Sequence, residues 1–311
     1  MVGINENGYF YRSTDGCWLF IYETAPPTDY HTTIVLVAGI TGINHHREQD
    51  LIGLLRNQQH RVVVIHPRGT GYSEGPRGDI APFTDFIQDY INIIKSDVDY
   101  LTKKHKILLF GHSMATAIVL AIAEIIPDID GVILVNPPYI LKKAKGMSPG
   151  LAQYLKYIWY FLFARHSPVV NMAGDPALIE NEEDRQEALA RINDPLLVKY
   201  FSMAMMNETK KLLARMLNYA RRTNIPLLLI YGLKDSIVDK TSADQLYASW
   251  KSPHKQYSLI ANGAHGKSTV ILAESIITQW INGLDASTKP KGTDQHENII
   301  LNQDRVTSRR P

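Results

Sequence analysis

A chain of 311 residues with 33 Lys and Arg against 31 Asp and Glu carries a formal charge of +2, so no global field draws it to nucleic acid or to an anionic membrane. Its 45% hydrophobic and 21% charged residues are those of a soluble globular protein, long enough for one large domain or two small ones and for a substantial core. A single cysteine, Cys17, excludes an intramolecular disulfide and fits a reducing, cytoplasmic setting; its apolar neighbours read as a buried strand.

The N-terminus lacks the basic start and apolar core of a signal peptide, and no stretch reaches the roughly 18 apolar residues needed to span a bilayer. Residues 9–11 and 18–22 read as an opening hairpin around Thr14-Asp15-Gly16. Short apolar runs then predict strands over 33–37, 61–65, 106–110, 132–135, 226–231 and 256–260. Amphipathic or longer stretches between them predict helices over 47–57, 83–104, 114–126, 242–250 and 270–281. Continuous apolar strands alternating with helices imply an α/β fold, a mostly parallel sheet covered on both faces, with ligands gathering at the carboxyl ends of the strands.

The rhythm breaks between 138 and 224, where helical segments are expected over 150–164, 182–191, 195–206 and 209–222 and no clear strand is seen. This stretch reads as a helical lid inserted between a first core part, 1–137, and a second, 225–284. The polar residues 285–311 read as a disordered tail.

The strand over 106–110 runs into Gly111-His112-Ser113-Met114-Ala115, and a helix follows. Strand, sharp turn, serine and helix form the context of a nucleophile elbow, with Ala115 where the usual motif has glycine. A serine hydroxyl needs a base and an acid to become a nucleophile at neutral pH. Of eleven histidines, His265 has the best context, in the loop Asn262-Gly263-Ala264-His265-Gly266 after a strand. Asp235 follows the strand over 226–231 in the same way; Asp239, its competitor, reads as the start or cap of the next helix. Serine, acid, histidine is the chain order of an α/β-hydrolase triad. Backbone N–H groups should meet the developing oxyanion, one from Met114 and the other from Ile40 in the glycine-containing turn Ala38-Gly39-Ile40-Thr41-Gly42.

The segment His66-Pro67-Arg68-Gly69-Thr70-Gly71-Tyr72-Ser73-Glu74-Gly75 lacks phosphate-loop spacing and reads as a structural turn near the site. His45-His46 are adjacent and share no face, so neither a metal nor another cofactor is expected. Residues 151–164 are unusually apolar and aromatic. Trp159 and Phe161 are candidates for an acyl-binding wall that also touches a lipid interface; a lid helix packed on the main domain is the alternative. Met203, Met205 and Met206 suit either an adaptable lining or core packing.

The elbow, together with Gly71-Tyr72-Ser73-Glu74-Gly75, Asp85-Phe86-Ile87-Gln88-Asp89-Tyr90, Asn193-Asp194-Pro195-Leu196, Gly232-Leu233-Lys234-Asp235 and Gly263-Ala264-His265, resembles the monoacylglycerol lipase and serine aminopeptidase S33 group of the α/β-hydrolases, over about residues 8–284. The resemblance implies the triad Ser113, Asp235 and His265, with Ile40 and Met114 as oxyanion donors. Ala38-Gly39 stands where that group usually has His-Gly. The expectation is a serine hydrolase acting on a small-molecule acyl ester, lipid-like or of medium chain. The same triad serves thioesterases, acyltransferases, peptidases and carbon–carbon hydrolases, and a non-hydrolytic receptor is the contrasting class. Nothing in the sequence sets an oligomeric state.

Overall fold

The computed structural model describes residues 8–25, 29–142, 151–172 and 176–286. The N-terminal segment of the signal-peptide reading and residues 287–311 of the expected tail lie outside them.

An antiparallel hairpin, β1 (Gly8–Arg12) and β2 (Trp18–Thr24), opens the fold, with Cys17 half-buried in the turn just before β2 and not in a strand. There follow β3 (Thr32–Val37), α1 (Gln49–Asn57), β4 (His60–Ile65), α2 (Phe83–Ser96), α3 (Val98–Thr102), β5 (Lys106–His112), α4 (Ala115–Ile125) and β6 (Gly131–Val135). Between β6 and the next sheet strand stand α5 (Leu151–Phe163), β7 (Val170–Asn171), α6 (Glu182–Ile192), β8 (Tyr200–Phe201) and α7 (Met203–Arg222). The chain returns through β9 (Leu227–Gly232), α8 (Lys240–Ser249), β10 (Lys255–Ile260), α9 (Lys267–Leu272) and α10 (Glu274–Ala286).

Eight strands form one sheet in the order β1-β2-β4-β3-β5-β6-β9-β10. From β4 through β10 all neighbours are parallel; only β1 and β2 run against theirs. β3, β4, β6 and β9 are buried at every position, because helices cover both faces. The period of two sorts their side chains. Val35, Val37, Leu109, Leu134 and Leu229 face a core built with α2, α4, α7 and α8. Ile34, Leu36, Phe110, Ile133 and Ile230 face a second core built with α1, α9 and α10. α4 is apolar nearly all round because it lies between the sheet and other helices.

Three helical expectations are corrected. The helix over 83–104 breaks at Asp97, which is extended (φ −67°, ψ 139°) and caps α3 by accepting the Asp99 N–H at 2.9 Å. The buried Arg61 guanidinium holds the same carboxylate at 2.9 Å, so a long-range ion pair overrides local helical periodicity. The helix over 270–281 is divided at Ala273 into α9 and α10. Residues 195–202 are not helical: Leu196 O accepts the Gly71 N–H, the Val198 N–H donates to Thr41 O, and β8 pairs with β7. Ser202 then caps α7, accepting the Met205 N–H at 3.0 Å. α7 packs on α4 and α8, so Leu212, Met216, Tyr219 and Ala220 belong to the core beside the sheet, although they fall within 138–224.

Candidate active site

Three loops at the carboxyl ends of β5, β9 and β10 bring one side chain each to a common point. Ser113 follows β5 with φ +53°, a left-handed conformation that costs a non-glycine residue of order 1–3 kcal/mol. The turn leaves no room at Gly111, where a Cβ would lie 2.8 Å from Val119 Cγ2. The methyl of Ala115 is buried and accommodated.

The Ser113 Oγ–H donates to His265 Nε2 at 2.8 Å, and His265 Nδ1–H donates to Asp235 Oδ2 at 2.8 Å. Asp235 is fully buried. Burial alone would raise its pKa, but the His265 hydrogen bond and charge, with N–H bonds from Ile237 and Val238 at 2.8 Å to Oδ1, hold it below the ordinary carboxylate range. An ionised acceptor on Nδ1 leaves Nε2 free to take a proton from the serine. Asp239 does not reach the site; it caps α8 through the Thr241 N–H at 2.9 Å.

Ile40 sits centrally in the turn of residues 39–42, closed by the Gly42 N–H on Gly39 O at 2.9 Å. Met114 caps α4, so its N–H is one of the unpaired donors of a helix start. Both residues line the same cavity as Ser113 and His265. That cavity holds about 330 Å³, within the usual range of small-molecule sites. Its lining includes the apolar side chains Leu51, Phe110, Met172, Leu197 and Ile237. It also includes paired charges, Arg47 with Glu187 at 3.1 Å and Lys267 with Glu48 at 3.9 Å, while the Arg191 guanidinium donates to Thr41 Oγ1 at 2.8 Å. Burial pushes the Glu48 carboxyl up, against the pull of Lys267.

Trp159 and Phe161 are not among the residues that line this cavity. Both are half-exposed on α5, with Trp159 ring-packed on Tyr160 and Phe163. α5 is mostly apolar, with Gln153 and Lys156 as exceptions, but only one stripe can turn inward; Tyr157 and Tyr160 are the less exposed of its described positions. Met205 is core, and Met206 packs against it. His45 bonds His66 in the interior, and the segment after β4 folds tightly enough that a Cβ on Gly71 would strike His66 Nδ1.

Two residues near the triad escaped the sequence reading. His112, inside the elbow, donates from Nε2 to His265 O at 2.5 Å, and burial lowers its pKa to about 3, so the ring is neutral. Asn136, with φ +48°, accepts the Gly232 N–H and donates to Ala264 O, tying the ends of β6, β9 and β10 together. An asparagine before Pro137-Pro138 at a strand end was its only sequence signal.

The family description "Serine aminopeptidase, S33" matches residues 29–268. The chain is 25% identical over 262 residues to a monoglyceride lipase of Rattus norvegicus, covering 81% of each chain. Among solved structures it is similar to a monoacylglycerol lipase of Paleococcus ferrophilus, at 23% identity and TM-score 0.63 over 85% of this chain and 99% of that one. It is also similar to a soluble variant of monoglyceride lipase from Saccharomyces cerevisiae with a substrate analogue, at 17% identity and TM-score 0.73 over 89% of this chain and 94% of that one. The likeness to these two structures is one of fold, an α/β-hydrolase sheet with its helices. Among the described residues no helix is long and apolar enough to cross a membrane.

Proposed function

From the premise that the chain belongs to the serine aminopeptidase S33 family of serine hydrolases, we propose that it cleaves carboxylic esters of lipid-like or medium-chain acyl groups, such as monoacylglycerols or lysophospholipids, through an acyl-enzyme on Ser113. The observation that carries this reading is the unbroken chain Ser113 Oγ, His265 Nε2, His265 Nδ1, Asp235 Oδ2, whose Ser113 and His265 line a cavity that carries both apolar and paired charged side chains.

Ser113 Oγ attacks the ester carbonyl as His265 takes its proton. The carbonyl oxygen becomes an oxyanion between the N–H groups of Ile40 and Met114. Asp235 stays ionised and stabilises the imidazolium, which then protonates the leaving alkoxide and frees the alcohol. Water enters, loses a proton to His265, attacks the acyl-enzyme, and the collapse returns that proton to Ser113 with release of the acid. The apolar wall takes the acyl chain. The mutually neutralised charges in the lining suit an uncharged, hydrogen-bonding alcohol such as glycerol. The segment between β6 and β9 serves as a lid, and the exposed face of α5, where Leu162 is 64% and Phe163 72% exposed, rests on a lipid interface and brings the cavity to its substrate.

A panel of acetate to laurate esters, with thioester and peptide substrates alongside, tests this. Each methylene buried adds about 0.8 kcal/mol, roughly a fourfold gain in kcat/KM, until the wall is full. A fluorophosphonate should label Ser113, and Ser113→Ala should be neither labelled nor active. A preference for acetate, or faster cleavage of peptides than of esters, would overturn the substrate class.

A further inference from the structure

We propose that Asp184, a carboxylate contributed by the segment between β6 and β9, is a positioning residue that holds the acid loop and the base loop in register; this rests on the triad reading above. Asp184 stands in the first turn of α6 and is 2% exposed. Its Oδ2 accepts from the Ser236 N–H at 3.2 Å and from the Ser236 hydroxyl at 2.7 Å. Its Oδ1 accepts the Gly266 N–H at 3.1 Å. Ser236 is the neighbour of Asp235, and Gly266 is the neighbour of His265. One side chain thus spans the backbones of two loops that arrive from different strands and whose side chains must meet at 2.8 Å.

The arrangement suits alignment better than charge pairing. The donors Asp184 meets in these bonds are neutral N–H and O–H groups, so its carboxylate is spent on geometry. An anion at this place is supported from behind: Asn181 caps α6 by accepting the Asp184 N–H at 3.1 Å, and the first turn of a helix favours negative charge. Glu183, one residue earlier, accepts the Ser268 N–H at 3.2 Å, so the same turn of α6 grips the base loop twice. At the far end of α6, Arg191 reaches Thr41 in the turn that carries Ile40. Seating α6 on the rim therefore sets the acid loop, the base loop and the oxyanion turn together, and Asp184 is the member bonded to both the acid loop and the base loop.

The test uses the full-length chain, a short-chain ester, and the variants Asp184→Ala and Asp184→Asn. The asparagine is of nearly equal size and keeps one acceptor oxygen, so it carries the test if the alanine variant does not fold. Loss of register near 1 Å costs on the order of 100-fold, so kcat per fluorophosphonate-titrated site should fall by about that factor in Asp184→Ala, and less in Asp184→Asn, with KM nearly unchanged. The downfield imidazole N–H resonance of His265, identified by its loss in His265→Ala, should weaken in both variants. Ser236→Ala combined with Asp184→Ala should cost less than the sum of the two, since both break the same tie. Wild-type kcat per titrated site in a folded variant, even with a lowered Tm, would reduce Asp184 to a structural contact and overturn the inference. The outcomes also separate the two readings. An active Ser113→Ala variant would remove the triad reading, whereas inactive Ser113→Ala beside fully active Asp184 variants would remove only the positioning role.

Discussion

Two histidines stand past the carboxyl ends of parallel strands, His66 after β4 and His265 after β10, in opposite surroundings. His66 is sealed against Phe20, Tyr72 and His45. Its Nδ1 accepts the Tyr72 N–H at 3.2 Å, so the neutral ring carries its proton on Nε2 and donates it to His45 Nδ1 at 3.0 Å. Burial lowers the pKa of His66 to about 3 and of His45 to about 4. His265 instead lines the cavity and holds an ionised carboxylate on one nitrogen and a hydroxyl on the other. A place on the rim does not make a base; an anion on the far nitrogen does, because it compensates the charge the ring must take up.

The largest expected effect sharpens this contrast directly. His265→Ala should lower kcat by on the order of 10⁶-fold, with the melting temperature little changed. His66→Ala should do the reverse, losing about 1–3 kcal/mol of stability by urea unfolding while the folded fraction turns over normally. A fully active His265→Ala variant would erase the distinction.

Next comes the carboxylate itself. Asp235→Asn should reduce kcat by about 10⁴-fold through loss of the productive tautomer. Asp239→Asn keeps a side-chain oxygen that can cap α8, so it should leave turnover unchanged and stability nearly so. Steady-state kinetics on both folded variants decide it, and greater damage from Asp239→Asn would misplace the acid.

The buried pair predicts a pH dependence of folding. His45 and His66 titrate near 6.5 when unfolded but near 4 and 3 when folded, so below pH 6.5 the unfolded chain binds more protons. Stability should be fully present above pH 6.5 and fall as pH drops towards 4, by up to about 1.4 kcal/mol per pH unit for each ring kept neutral. His45→Asn, whose amide oxygen can still accept from His66, should flatten part of that slope in urea titrations. An unchanged slope would locate the dependence elsewhere.

The smallest effect concerns α5. Trp159→Ser with Phe161→Ser should leave acyl-length preference intact and change stability within about 0.5 kcal/mol per site, because both side chains are half in water and outside the cavity. Binding to neutral phospholipid vesicles should weaken. A flattened chain-length profile would bring α5 back to the cavity wall.

Much of this was legible in the order of residues alone. The strands announced themselves as short apolar runs, since strands buried on both faces are apolar at nearly every position. The elbow, acid loop and histidine loop each combine a strand end with glycine and one reactive side chain, and their chain order pointed to one chemistry. That Asp239 would cap a helix also followed from its place, since a carboxylate before a helical run satisfies free N–H groups. What the sequence could not decide depends on partners distant in the chain. Arg61 breaks a helix at Asp97, Thr41 and Gly71 draw residues 195–202 into an extended path, and packing on α7 chooses which stripe of α5 faces inward. Asp184 had no local signature, being one acid among several at the start of a polar helix. Its partners, Ser236 and Gly266, are 52 and 82 residues away, and only the seating of α6 on the sheet's rim brings them within hydrogen-bond reach. Local periodicity encodes the elements and the reactive groups; long-range hydrogen bonds and ion pairs decide where elements end, which face is wet and what aligns the site.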